Sequence, residues 1–135
     1  MRYVRLKADN AGESHFEQAT LDLTEADYRP PAPLLLVSPH YWADGLQFIR
    51  LPSGWAGESI NPPKSQFLIC LKGHLEVTAS DGEMRVFGPG DSVLMEDVFG
   101  KGHHSRVKGT DECEAAIIPI VEPISDRTHL SLIHI

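Results

Sequence analysis

His103 and His104 stand side by side at the end of a loop that reads Glu96-Asp97-Val98-Phe99-Gly100-Lys101-Gly102. Imidazole titrates near neutral pH, so a histidine held in a pocket serves as a general acid or base. Neighbouring side chains on a strand point to opposite faces, and only one of the pair can look inward. Glu96 or Asp97 can orient that histidine as one half of an acid–base dyad. The competing reading of the loop is a solvated charged turn. His40-Tyr41-Trp42, just after Pro39, is an aromatic and histidine cluster suited to line a ligand pocket or to pack at a subunit contact. Arg50 favours a carboxylate or phosphate if it faces a cavity, and is otherwise a surface side chain. His15 and His74 lie on polar faces and read as solvated.

The elements that must position these residues are short strands. Leu75, Val77 and Ala79 alternate with Glu76, Thr78 and Ser80, and Met84 and Val86 alternate with Arg85 and Phe87. Period-two alternation marks a strand with one covered face. Asp81-Gly82 between the two runs favours a tight hairpin, because that turn needs positive φ. Gly88-Pro89-Gly90-Asp91 is a second tight turn, followed by a strand SVLM and, past the loop, a strand HHSRVK. Residues 66–95 are therefore expected as consecutive hairpin strands. Residues 1–7 read as an edge strand and Ser14–Leu23 as another, with one helical turn over Thr24–Tyr28. Arg29-Pro30-Pro31-Ala32-Pro33 excludes helix and central strand. Leu34–Val37 reads as a short buried run, Leu46–Leu51 as a strand, residues 52–57 as a loop, and Ala115–Val121 as the strand that closes the sheet, with Pro119 at an edge or strand end. Many short strands joined by Gly and Pro turns point to an all-β, single-domain antiparallel β-barrel or jelly roll.

Residues 45–120 resemble the cupin superfamily. Gln66, six residues and Gly73 fill the frame of the family's first motif, which carries a Glu where Gln66 stands. Gly88-Pro89-Gly90-Asp91 followed by His103 or His104 fills the frame of the second. The resemblance implies a barrel over 45–121, with residues 1–44 supplying N-terminal strands and a Pro-rich linker packed on it, and a tail over 122–135. It implies that Gln66 points inward, where an amide orients a substrate oxygen. It also implies a metal site, but this chain departs from the pattern. Ile60-Asn61-Pro62 replaces the family's His-x-His pair, and Gln66 is a poor transition-metal ligand. No cofactor is expected. A divalent transition metal would have to be held atypically by His103, His104 and His40.

The function read from these residues is a small-molecule-binding cupin with its usual metal site degraded. Its chemistry is that of a metal-independent isomerase, epimerase, cyclase or lyase, with His103 or His104 as the catalytic group and Gln66, Arg50, Tyr41 and Trp42 as substrate contacts. The alternative is an atypical His-ligated metalloenzyme of the oxygenase type. Whether the protein is an enzyme is left open.

The 135 residues give room for one domain, and the net charge of −7 argues against a nucleic-acid surface. No apolar run approaches the ~20 residues of a membrane span, and the N-terminus has no apolar signal region. Cys70 and Cys113 read as buried free thiols. A cytoplasmic bacterial protein is expected, pairing as a homodimer and binding a small organic molecule. The last residues, LSLIHI, are similar to translated sequencing-adapter sequence in a frame assembled from environmental reads. They are read as non-native, and no function is placed on His129 or His134.

Overall fold

The computed structural model describes residues 1–27 and 31–121. The tail from residue 122, with His129 and His134, lies outside them, as do Tyr28, Arg29 and Pro30. Twelve strands and no helix occur among the described residues. They are β1 (Arg2–Ala8), β2 (Ser14–Thr20), β3 (Thr24–Ala26), β4 (Leu35–Val37), β5 (Gln47–Leu51), β6 (Ala56–Ile60), β7 (Gln66–Lys72), β8 (Leu75–Ala79), β9 (Met84–Phe87), β10 (Ser92–Met95), β11 (His103–Val107) and β12 (Cys113–Pro119).

Two sheets face each other. One has six strands in the order β2-β1-β10-β7-β12-β5, the other four in the order β6-β11-β8-β9. The β8–β9 hairpin forms about Asp81-Gly82, with Gly82 at φ 95°. β7 does not pair with β8. It lies between β10 and β12, antiparallel to both, so β7 and β10 bracket the hairpin from the opposite sheet. This corrects the expectation of consecutive hairpins over 66–95 and makes the connection jelly-roll-like. β1 is interior, antiparallel to β2 and parallel to β10, so the edge strands of this sheet are β2 and β5.

Leu6, Leu68, Cys70, Val93, Met95 and Ala115 from the large sheet meet Leu75, Val77, Ala79, Phe87 and Val107 from the small one. Each large apolar side chain so buried stabilises by about 1.5–3 kcal/mol. Register decides which side of β9 is covered. Leu75 opposes Phe87 and Val77 opposes Arg85, so Phe87 and Arg85 turn inward while Met84 and Val86 are exposed. Arg85 ends over the Phe16 ring, 5.2 Å from its centroid.

Three local expectations are corrected. Thr24–Ala26 is a strand paired with β4, not a helical turn. Leu34–Leu36 is not buried; Leu34 and Leu36 are each 59% exposed, because β3 and β4 form a separate two-stranded ribbon. Ala56 and Gly57, read as loop, begin β6 and pair with β11.

Candidate functional site

On β11, His103, Ser105 and Val107 are buried, and His104 and Arg106 are exposed. The face is fixed on both sides, since His103 opposes Ala79 of β8 and Ile60 of β6. His103 is 2% exposed and projects between the sheets. The Asp97 carboxyl, fully buried, places Oδ2 2.6 Å from His103 Nδ1. Against an ionised Asp97 carboxylate, which only accepts, Nδ1 would carry the proton of the neutral ring and Nε2 would be its basic atom. Asp97 Oδ1 has no hydrogen-bond partner among the described residues.

The loop between β10 and β11 brings Asp97 back to His103 through five anchors. Glu96 N donates to Leu6 O at 2.7 Å, and the Arg5 guanidinium grips the Glu96 carboxylate at 2.7 and 2.9 Å. Asn61 Nδ2 donates to Asp97 O at 2.9 Å. Lys101 N donates to Gly12 O at 2.8 Å, and Ser14 Oγ donates to Gly102 O at 2.8 Å. Gly100 sits at φ 83°, and a Cβ there would lie 2.4 Å from Gly12 O. Only glycine suits that conformation and that approach. Of the two loop carboxylates, Glu96 therefore serves the scaffold and Asp97 the histidine.

The other expected residues divide. Gln66 shares its strand face with Leu68 and Cys70, so it lies on the same side of the large sheet as the core. His104 faces outward, in a shallow depression with Glu58, Glu76, Thr78 and Arg106. Arg106 pairs there with Glu76, which lowers the Glu76 pKa. Arg50 also faces outward. It is 65% exposed and ion-paired with Glu114 at 2.7 Å, which removes it from the His103 side. Inward positions on β5 belong to Ile49 and Leu51.

Tyr41 packs on Phe67 with ring centroids 5.2 Å apart, in a second cluster with Tyr3, Leu94 and Ile120. These side chains occupy the opposite face of the large sheet from Leu68, Val93 and Met95. Tyr41 and His40 line a groove of 1380 Å³ on that outer face. His40 stacks on Trp42 at 5.5 Å. The structure thus separates His40, Tyr41 and Trp42 from His103 by the thickness of the sheet, and His104 from His103 by the alternation of β11.

A catalytic divalent site usually has three protein ligands. Among the described residues no three His, Cys, Asp or Glu side chains converge to hold an ion. His103 and Asp97 face each other, and Asn61, at the frame of the missing His pair, holds the Asp97 backbone. The residues present do not fit the metal that the resemblance implies. Sequence reasoning missed Asn61 as a loop anchor; its signal was a lone amide at the rim of a strand, beside two prolines.

The cupin domain family model matches residues 47–119, just over half of the chain. No curated protein matches. Among solved structures, a Cupin 2 conserved barrel domain protein from Salinispora arenicola CNS-205 is 15% identical, over 84% of this chain and 85% of that one, with TM-score 0.47. The cupin domain of an XRE family transcriptional regulator from Enterobacter cloacae is 23% identical, over 58% and 80%, with TM-score 0.45. A structural-genomics protein of unknown function from Rhizobium leguminosarum bv. viciae 3841 is 22% identical, over 57% and 69%, with TM-score 0.46.

Proposed function

Because the chain belongs to the cupin domain family, we propose that it binds a small organic molecule between its sheets and acts on it by proton transfer through His103. The observation that carries this reading is the buried 2.6 Å contact of His103 Nδ1 with Asp97. A fixed Nδ1–H tautomer leaves Nε2 ready to take a proton from an acidic C–H or O–H and to return it. Asp97 positions the ring and stabilises the imidazolium that forms. The unpartnered Asp97 Oδ1 gives a donor on the ligand a place to bind, since a buried carboxylate oxygen without a partner is costly. Gln66, on the same side of the large sheet, is suited to orient a ligand oxygen. The reaction class is isomerisation, epimerisation, cyclisation or elimination, in each of which a general acid–base group takes a proton from the substrate or returns one to it, to a leaving group in the case of elimination.

The test is a nitrogen-15 spectrum of the histidine rings, recorded on chelator-treated protein against a panel of small hydroxy acids, keto acids and sugars. A compound that shifts His103 Nε2, and that no longer binds His103→Gln, supports the reading. A His103 ring that answers none of the panel, while ligands perturb only the outer groove at Tyr41 and Phe67, counts against it.

A further inference from the structure

We propose that His15 is a pH-sensitive clasp that holds closed the loop covering the His103–Asp97 pair, an inference that rests on reading that pair as the site. His15 Nε2 lies 2.8 Å from Asp9 Oδ2, and His15 Nδ1 lies 2.8 Å from Asp81 Oδ2. Asp9 belongs to the β1–β2 turn, where its Oδ1 also accepts from the amides of Ala11 and Glu13 at 2.9 and 3.0 Å. Asp81 opens the β8–β9 turn, where its Oδ1 accepts from Glu83 N at 2.9 Å. One imidazole therefore ties the large sheet to the small sheet.

Ionised carboxylates only accept hydrogen bonds, and a neutral imidazole offers one N–H. Both contacts are made only by the imidazolium. Once His15 loses its proton, one ring nitrogen presents a lone pair to a carboxylate. The hydrogen bond to Asp9, and then that to Asp81, raises the His15 pKa above its ordinary 6.5. The charged groups around it are Asp9, Asp81, Glu13 and Glu17 against Lys7 and Lys101. Lys7, opposite His15 in the ladder, is 3.9 Å from Glu17, and Lys101 is 3.0 Å from Glu13. Carboxylates outnumber ammonium groups, and both ammonium groups have carboxylate partners.

The β1–β2 turn held by this clasp is the backing of the loop over residues 96–102. Gly12 O accepts from Lys101 N, Gly12 meets Gly100 in close backbone contact, and Ser14 Oγ donates to Gly102 O. Glu13 joins the same network through Ser80 Oγ at 2.7 Å. That loop carries Asp97. With His103 at 2% and Asp97 at 0% exposure, a ligand reaches the pair only when something moves. The loop is the movable part. Its Val98 and Phe99 side chains are exposed rather than packed, and Gly100 and Gly102 both sit at positive φ.

The closed form has the raised His15 pKa. Closure is therefore fully favoured below the ordinary value and weakens as pH rises through the raised one. The ratio of closed to open falls roughly tenfold for each pH unit by which the clasp raises that pKa. The experiment is amide hydrogen exchange of the full chain between about pH 6 and about pH 9, corrected for intrinsic rates. The Lys101 amide loses protection across this range, while the Cys70 amide, bonded to Asp91 O in the sheet, does not. In His15→Gln, Lys101 is already weakly protected at the acid end and is flat with pH. Constant Lys101 protection in the parent, or an unchanged pH response in His15→Gln, overturns the proposal. A pH-dependent Lys101 amide beside a His103 ring that answers no ligand supports the clasp and sinks the reading of the pair as a site.

Discussion

Asp97→Asn isolates the contribution of one charge at the centre of the fold. The substitution keeps the shape of the side chain, and an amide oxygen can still accept from His103 Nδ1. The contact is buried on both sides, at 2% and 0% exposure, so water does not screen it. Its loss is the difference between a charge-assisted and a neutral hydrogen bond, about 1–2 kcal/mol. Asp97→Ala removes the contact itself and opens a gap under the loop, and is expected to cost about 3 kcal/mol or more. Urea unfolding followed by tryptophan fluorescence reads both, with an unchanged slope confirming that the folded state is intact. An Asn variant within about 0.3 kcal/mol of the parent, or an Ala variant no weaker than the Asn variant, refutes the claim that this pair is a made and energetically significant contact. In the Ala variant the His103 ring also loses the bias that keeps its proton on Nδ1, and in the Asn variant that bias weakens because the amide can donate as well as accept; the nitrogen-15 spectrum reports both directly.

Three other outcomes follow from the same geometry. His104→Ala and Arg50→Ala, both outward and exposed, change stability by no more than about 0.5 kcal/mol and leave ligand response at His103 unaltered; a loss of that response in either variant places the site on the outer face instead. Gly100→Ala puts a Cβ 2.4 Å from Gly12 O at φ 83°, and is expected to cost about 1–3 kcal/mol by urea unfolding and to loosen the Lys101 amide in exchange. Burial pushes the Cys70 thiol pKa from 9.0 up to about 11, so the folded state keeps its proton where the unfolded chain releases it; stability falls as pH rises between those values, and Cys70→Ala removes that part of the decline in a pH series of unfolding curves.

The strands of the central stretch were legible because their alternation and turn residues agree. Leu75, Val77 and Ala79 are inward as read, and Asp81-Gly82 turns the hairpin. Pairing across the fold was not legible. Nothing local to Gln66–Lys72 says that it bonds to β10 and β12 rather than to its neighbour β8, and nothing local to β1 says that it lies inside a sheet. The burial of β9 shows the same limit, since its alternation fits either face until β8 sets the register. At the site, the frame of the second motif located the histidine pair, and strand alternation required one of them to be inward; the ladder with β6 and β8 selects His103. Asp97 lies only six residues away, yet its contact depends on Gly100, Gly102 and a β1–β2 turn about ninety positions earlier in the chain. His15 looked solvated because its neighbours along the strand are polar. Its two partners come from different turns, which the sequence order separates.

Acid–base chemistry at His103 in place of a bound metal is tested most directly by elemental analysis of purified, untagged protein. The expected result is well under one equivalent of any transition metal, with ligand binding at His103 intact after chelation. A stoichiometric metal that disappears in His103→Ala would contradict the account and make the protein a metalloenzyme.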